Sequence, residues 1–240
     1  MGISIIFLLL QNNGSSKIVL FFHLFSGYSY HRPADFNLSL DGYQYEINDV
    51  HFSSRSLEFP LYYGISGGSF VTLGQLRFRV GLEFLHDKIY ARETRDVGIR
   101  RSTNPDYIPG NKYPFEKFLN QFSMSHGYNF LLIKLALTVF EARIAGKPLF
   151  VNAGIGVGPL VPHVESRKGT RILENYQWRG PAGMLELSGE WYVKQHLQFL
   201  AGFKLTAGRV KDADISGGTL STRIWSGHFF LGIGFSSAVL

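Results

Sequence analysis

The segment from Gln75 to Tyr90, QLRFRVGLEFLHDKIY, contains a stretch in which apolar residues alternate with charged residues or glycine. Between positions 77 and 84 the odd-numbered residues are charged or glycine, and the even-numbered residues are all apolar. Because successive side chains of a β-strand point to opposite faces, this strand has one charged face and one unbroken apolar face. Such a strand suits a wall between water and hydrocarbon. A half-buried strand of a soluble sheet also alternates, so the pattern must recur to be decisive.

The alternation recurs along most of the chain. The predicted strands are Ile18–Tyr30, Leu61–Val71, Gln75–Tyr90, Tyr128–Glu141, Phe150–Glu165, Gln177–Val193, His196–Arg209 and Leu220–Ser236. The links between them alternate between short, near residues 73, 146 and 194, and long, near residues 44, 106, 170 and 214. We therefore predict an all-β fold: an eight-stranded antiparallel transmembrane β-barrel with short periplasmic turns and long extracellular loops.

The long links differ in pattern. The segment from Ala91 to Gly127 is rich in Arg, Asn, Pro and Asp, and we expect it to be irregular. The segment from Phe36 to Tyr45 has a weak extended pattern typical of a long loop or a projecting hairpin. In the fifth strand, glycines at 154, 156 and 158 leave one face without side chains, which makes room inside a narrow barrel for side chains from facing strands.

Composition agrees with a barrel and sets limits on function. Of the 240 residues 15% are aromatic and none is cysteine, so disulfides and thiolate metal sites are excluded. The chain contains no run of about 18 apolar residues, so the sequence predicts no membrane helix. The net charge of +6 is spread over strands and loops, so anionic lipid headgroups suit it as well as nucleic acid does, and charge alone does not choose. We expect outer-membrane lipid, and no nucleic acid, as the partner. We expect residues 1–16 to be an atypical, signal-like segment and residues 17–240 to form a monomeric barrel.

The alternation also assigns charged residues to the barrel interior. Those expected there are Arg77, Arg79, Glu83, Lys134, Glu186, Glu190 and Lys204. Their charges nearly balance, and we expect them to pair because an unpaired charge in a narrow lumen is costly to desolvate. Eight strands enclose an interior that side chains just fill, so a structural ion-pair network is favoured over a channel.

Candidate chemistry lies at the other end of the strands. Strand parity places His86 and Lys88 on the outward face just beyond the apolar row, while His126, His163 and Glu165 flank neighbouring strands at the same end. Histidines and a carboxylate at one rim can act as acid and base near neutral pH, or bind a metal. For each residue alone, a structural role at the membrane interface is favoured, and only the group as a whole points to chemistry.

A serine esterase is a weaker possibility at this rim. Ser125 and His126 are adjacent in sequence, whereas a nucleophile and its base are usually distant in the chain. No nucleophile-elbow motif surrounds the serine. Sequence alone therefore disfavours an esterase.

Several stretches resemble a known family. They are GYSYHRPADF, PLYYGISGG, GLEFLHDKIYA, SHGYN before an apolar strand, GIGVGPLVPHVE and KDADISGGTLSTRIWSGHFFLGIGF, in that order between about Gly27 and Phe235. In these the chain resembles the outer-membrane β-barrel family of lipid A oxidases. The resemblance implies an integral protein of the bacterial outer membrane that contacts lipopolysaccharide. It also implies oxidation of the proximal glucosamine of lipid A to aminogluconate by molecular oxygen.

The shared motifs supply the site hypothesis. The catalytic candidates are His86, His126, His163 and Glu165, with His126 or His163 as general base and Glu165 orienting a histidine or binding a divalent metal. The candidate residues for holding lipid phosphates are Lys88 and Arg92. The alternative is a non-enzymatic structural or adhesive barrel that acts through its Arg-rich extracellular segment.

Overall fold

The computed structural model describes residues 19–59, 61–74 and 76–238. Its strands are β1 Val19–His31, β2 Ala34–Leu40, β3 Tyr43–Val50, β4 Phe52–Ser53, β5 Tyr63–Leu73, β6 Leu76–Ala91, β7 Asp96–Ser102, β8 Lys112–Pro114, β9 Gln121–Ile144, β10 Lys147–Lys168, β11 Arg171–Tyr176, β12 Pro181–Lys194, β13 Leu197–Ile215 and β14 Gly218–Ser236. A 3₁₀ turn spans Phe115–Lys117. Within these ranges no helix is long and apolar enough to cross a membrane. The signal-like segment 1–16 lies outside the described residues.

Eight long strands close into a ring. Their order is β1–β5–β6–β9–β10–β12–β13–β14, and β14 returns to β1 with a register that runs from Phe21 opposite Ser236 to His31 opposite Ser226. Every pairing in the ring is antiparallel. The predicted eight-stranded barrel is therefore confirmed. Closure leaves the ring with no open edge, as a sheet in hydrocarbon requires.

The outer face of the ring is an apolar belt. On β14, Phe229, Leu231, Ile233 and Phe235 are exposed, and the residues between them point into the barrel. Equivalent exposed side chains on other strands include Leu20, Phe22 and Leu24 on β1, Val80 and Leu82 on β6, Ile133 and Leu135 on β9, Ile155 and Val157 on β10, Leu185 and Leu187 on β12, and Phe199, Phe203 and Leu205 on β13. A soluble monomer rarely exposes an apolar surface this extensive. Lipid must cover it, so the ring is a transmembrane β-barrel.

The two ends of the barrel differ as predicted. At one end β5–β6, β9–β10 and β12–β13 are joined by short turns, and Gly74 and Gly146 there have φ of 61° and 74°. At the other end β9, β13 and β14 continue beyond the belt, β2–β3–β7–β8 add a sheet to β14, and β11 pairs with β10. By the usual asymmetry of such barrels, the short turns are periplasmic and the elaborated end is extracellular.

The extracellular end is a folded layer with its own core. The expectation of an irregular stretch from Ala91 to Gly127 was wrong, because it contains β7, β8, the 3₁₀ turn and the start of β9. Its apolar side chains pack inward: Val97, Ile99, Phe115, Phe118 and Phe122 are buried, together with Phe36, Leu38 and Leu40 of β2. The hairpin expected near Phe36–Tyr45 is β2–β3.

The centre of the lumen holds a four-residue charge network. The Lys204 ammonium contacts Glu83 Oε1 at 2.5 Å and Glu186 Oε2 at 2.6 Å. The Lys134 ammonium contacts Glu83 Oε2 at 2.9 Å and also Glu186. All four side chains are buried, and each carboxylate lies between two cations, so every charge has a partner. This matches the pairing expected from the sequence.

The remaining interior charges form two further pairs. Arg79 pairs with Glu190, and both are buried. Arg77 lies outside the central network and pairs with Glu141 at 3.2 Å, nearer the periplasmic end. The cavity beside the central network has a volume of about 10 Å³, which is room for roughly one water. The interior is therefore filled by side chains.

One pair of opposed glycines sets how closely β5 and β6 approach. Gly68 lies opposite Gly81, and a Cβ on Gly68 would lie 2.1 Å from the backbone oxygen of Val80. We expect Gly68→Ala to push the strands apart and to cost about 1–3 kcal/mol of unfolding free energy. Urea unfolding of the reconstituted barrel measures this. The control is Gly67→Ala, where the nearest atom is 3.4 Å away; an equal loss there would contradict the explanation.

Candidate functional site

The candidate site lies on the outward face of β9, β10 and β11, just beyond the apolar belt. On β10 the residues facing outward continue from Val157 to His163 and Glu165. Across the sheet, Glu165 is opposite Ser123 of β9 and opposite Glu174 of β11. The sheet therefore aligns polar side chains from three strands in one row at the level of the lipid headgroups.

A double bulge in β9 brings His126 into this row. From Tyr128 to Met124 β9 runs four residues while β6 runs only two, from Asp87 to Ile89. Extra residues in one strand bend it and re-aim its side chains. Gly127 within the bulge has φ of 131°, a conformation that glycine adopts without strain. The local sequence Ser125-His126-Gly127 is thus suited to the bulge.

Four side chains converge there, and we call them the rim cluster: His126, His163, Glu165 and Glu174. Nδ1 of His126 is 2.7 Å from Oε1 of Glu165, and Nδ1 of His163 is 3.2 Å from the same oxygen. Oε1 of Glu174 is 3.9 Å from Nε2 of His163. One potential ligand atom from each residue lies within 4.8 Å of the other three. This spacing is compact enough for one metal ion.

Neighbouring hydroxyl groups orient the central carboxylate. Ser123 donates a hydrogen bond to Oε2 of Glu165 at 3.0 Å, and Ser125 donates to Oε1. Burial raises the pKa of Glu165, but hydrogen bonds from Ser125, His126 and Ser123 outweigh it and hold that pKa below its usual range. The carboxylate is therefore an anion at neutral pH. Tyr176 packs its ring 4.4 Å from that of His163.

The geometry does not form a serine hydrolase triad. In such a triad the imidazole lies between the hydroxyl and the carboxylate. Here Ser125 Oγ and His126 Nδ1 both contact the same oxygen of Glu165, and they are 3.0 Å from each other. The serine is thus bonded directly to the carboxylate, which agrees with the sequence-based preference against an esterase.

Accessibility divides the rim cluster into an anchored half and an open half. The side chains of His163 and Glu165 are 9% and 16% exposed, whereas those of His126 and Glu174 are 56% and 57% exposed. A catalytic metal site needs fixed ligands and an open position for substrate. Two histidines with a carboxylate and open positions are the ligand set of non-haem iron oxygenases.

The other predicted residues lie outside the rim cluster. His86 donates a hydrogen bond from Nδ1 to Oδ1 of Asn129 at 2.9 Å, and its ring stacks on that of Tyr63. Lys88 is buried, and its ammonium donates to the carbonyl oxygen of Glu58 at 3.0 Å. Arg92 lines a cavity of about 230 Å³ under the segment Phe52–Glu58. The structure thus brings together His126, His163 and Glu165 but places His86, Lys88 and Arg92 elsewhere.

Sequence reasoning missed Glu174. The β10–β11 hairpin pairs Lys168 with Arg171, so its turn is Gly169-Thr170. Counting outward from this turn pairs residue 165 with residue 174. The Lys-Gly-Thr-Arg turn was therefore the available signal, but only once a strand beyond the turn was assumed.

Comparisons with known proteins add little beyond architecture. No family model matches the chain, and no curated protein matches it. Solved structures that resemble it include Neisserial surface protein A (10% identity, TM-score 0.37, 93% of this chain and 99% of that chain), the outer membrane protease OmpT from Escherichia coli (6%, 0.44, 94% and 99%) and the outer membrane protein AlkL (9%, 0.41, 95% and 94%). At these scores the likenesses carry no argument about function.

The molecule's own features decide where it resides. A closed single-chain ring of eight antiparallel strands, an apolar outer belt, and short turns at one end only are the features of bacterial outer-membrane barrels. The chain is an integral outer-membrane β-barrel. The rim cluster consequently faces the headgroups and sugars of the outer leaflet.

Proposed function

We propose that this outer-membrane barrel is a metal-dependent oxidase of a lipid headgroup, with His126, His163 and Glu165 of the rim cluster as its metal ligands and lipid A as its substrate. The observation that carries the proposal is the position of two histidines and two carboxylates outside the barrel, immediately beyond the apolar belt. A lipid whose acyl chains lie against the belt presents its headgroup at this level. A soluble substrate would gain nothing from a site facing the membrane.

The role of each ligand follows from how exposed its side chain is and from the hydrogen bonds that hold it in place. His163 and Glu165 are the anchored ligands, and His126 completes a two-histidine, one-carboxylate set. A divalent metal held by these three residues would supply redox chemistry with molecular oxygen. Ser123 and Ser125 hold the Glu165 carboxylate in its orientation. Glu174 is exposed at the open side and is placed to accept a proton from substrate.

The proposed reaction balances as a two-electron oxidation. A proximal glucosamine with a free anomeric hydroxyl loses the hydrogen on C1 and the hydroxyl proton, and becomes a lactone. Molecular oxygen accepts the two electrons and two protons and becomes hydrogen peroxide. Water then opens the lactone to give aminogluconate. Glu174 serves the first step by taking the hydroxyl proton.

Mass spectra of lipid A test the proposal. We expect lipid A with a free anomeric hydroxyl to gain one oxygen atom when incubated with the metal-loaded protein in air. The gain should disappear under nitrogen and after chelation. His126→Gln should lose the activity, whereas His51→Gln, which changes an extracellular histidine outside the rim cluster, should keep it. If the mass of lipid A is unchanged after incubation with the metal-loaded protein in air, the oxidase proposal is contradicted.

The hydrogen bond from Ser125 provides a finer prediction. We expect Ser125→Ala to weaken metal binding about 10–100-fold, because partners of a ligand tune it strongly. The bond helps to lower the pKa of Glu165, so its loss should raise that pKa and metal release on acidification should begin at a higher pH. Calorimetric titration at several pH values measures both effects. Ser53→Ala, on β4 two strands from Ser123 and without a hydrogen bond to Glu165, should change neither.

The adhesive alternative depended on free arginines in the extracellular segment. Arg100 pairs with Asp35 at 2.9 Å, and Arg101 pairs with Glu46 at 3.4 Å. These pairs join β7 to β2 and β3 within the extracellular sheet. These two arginines are therefore engaged within the layer, which reduces the support for the adhesive alternative.

A further inference from the structure

We infer that a second surface, formed by β1, β13 and β14, binds the phosphate groups of anionic lipids in the outer leaflet. Arg209 of β13 lies directly opposite Arg223 of β14, and both side chains point outward and are exposed. Like charges placed directly opposite each other on a sheet repel. A pair of this kind is stabilised when an anion lies between its members.

The neighbouring carboxylates of the protein do not take this place. Asp35, next to Arg223 in the register between β14 and β2, pairs with Arg100 at 2.9 Å instead. Among the described residues, neither Arg209 nor Arg223 makes a salt bridge or a side-chain hydrogen bond. The nearest carboxylate along β13, that of Asp212, instead accepts a hydrogen bond from Ser221 at 2.9 Å. Two guanidinium groups with free donors remain, and planar guanidinium groups bind phosphate oxygens bidentately.

The basic surface extends to the neighbouring strand. The Arg32 backbone N–H, immediately after β1, donates to the Trp225 carbonyl at 3.0 Å, so Arg32 follows Tyr30 on the outward face and lies opposite Trp225, diagonal to Arg223. Within the described ranges Arg32 also has no acidic partner. We call Arg32, Arg209 and Arg223 the arginine patch. Three cations on adjacent strands favour a polyanionic headgroup.

The level of the arginine patch selects a lipid as the occupant. Directly below it on the outer face lie Trp225, 51% exposed, and Tyr30, 64% exposed. Tryptophan and tyrosine mark the boundary between hydrocarbon and headgroups. The apolar belt continues below them through Leu205 and Phe229. An acyl chain on the belt and a phosphate on the patch can thus belong to one lipid molecule.

The arginine patch is distinct from the rim cluster. In the ring, β12 separates β10 from β13, so the two sites are roughly 10–15 Å apart by strand spacing. The inference does not rest on the proposed function, because a barrel without activity would bind lipid phosphates equally well. If both proposals hold, the patch positions a phosphorylated substrate beside the rim cluster.

Native mass spectrometry of the full chain in a neutral detergent tests the inference. The probes are bisphosphorylated lipid A, the same lipid after dephosphorylation, and inorganic phosphate. We expect the phosphorylated lipid to bind at least about 10-fold more weakly to the Arg209→Gln/Arg223→Gln variant than to the unchanged protein. The dephosphorylated lipid should bind both proteins equally weakly. Inorganic phosphate should not displace the lipid at equal concentration.

A matched control separates the patch from net charge. Arg143→Gln/Lys147→Gln removes two charges at the periplasmic end, where neither residue forms a salt bridge within the described chain. An equal loss of binding in this control would overturn the inference, as would unchanged binding in the patch variant. Displacement by inorganic phosphate would show a free-anion site and overturn the lipid assignment.

Folding of the patch variant is checked independently by its thermal midpoint in detergent without lipid. Removing a like-charge pair should leave the midpoint equal or higher, and added phosphorylated lipid should stabilise only the unchanged protein. If the double variant does not fold, Arg223→Gln alone provides the same comparison. A lower midpoint without lipid, in a folded variant, would show that the arginines serve the fold and contradict the inference.

Discussion

Replacing His163 by alanine should abolish metal binding at the rim cluster while the barrel stays folded. His163 lies between Glu165 and Glu174 and is the more buried of the two histidines. Loss of residues that merely support a ligand already weakens binding about 10–100-fold, so loss of this ligand should weaken it at least about 100-fold. Calorimetric titration with Fe²⁺ and Zn²⁺ measures the affinity, and elemental analysis measures the bound metal.

The control for His163→Ala is His51→Ala. His51 is also a histidine of the extracellular end, but it contacts Asp49 and Arg95 rather than the rim cluster. It should retain full metal content. Equal metal content in both variants would show that the four side chains gather without binding a metal, and the oxidase proposal would then lose its chemical basis.

Replacing Glu186 by alanine should destabilise the barrel by about 3–5 kcal/mol. Glu186 accepts contacts from both Lys134 and Lys204 in the closed lumen. Without it the two ammonium groups share only Glu83, so one buried positive charge has no compensating anion. Removal of one partner of a buried pair leaves its desolvation cost uncompensated. Urea unfolding in lipid vesicles, followed by tryptophan fluorescence, measures the loss.

Glu141→Ala is the matched control for this loss. Glu141 pairs with Arg77 at 3.2 Å, but its side chain is 55% exposed. Exposed ion pairs contribute about 0–1 kcal/mol, so this variant should unfold almost as the unchanged protein does. If Glu186→Ala were no more harmful than Glu141→Ala, water must reach the central network, and the lumen would be open rather than filled.

Much of the barrel could be predicted because its rule is local. In each transmembrane strand one face meets lipid and the other meets the lumen, so polarity alternates with the two-residue period of the strand. The segment around Arg79 and Glu83 shows this directly, and the structure pairs both with lumen partners. Closure of the sheet into a ring could also be predicted, because eight such strands are stable in a membrane only when no edge is left open.

The extracellular layer could not be predicted, because its apolar residues do not follow the two-residue period of a strand. Val97, Ile99, Phe115 and Phe118 are scattered among Arg, Asn and Pro, and they become a core only when β2, β3 and β7 stack above the barrel. Lys88 shows the same limit. Strand parity predicts an outward side chain, but the segment ending at Glu58 contacts the ammonium group, and Lys88 is buried.

The sequence by itself determined the strands, the two faces of each strand, and the end of the barrel where polar chemistry gathers. Only the tertiary structure decided which side chains meet. The bulge at Gly127 brings His126 to Glu165, the β10–β11 register adds Glu174, and the β13–β14 register sets Arg209 against Arg223. The reason is physical. The alternation of polar and apolar residues is a property of neighbouring positions in the sequence, whereas register and bulges depend on pairing between strands that are distant in the chain.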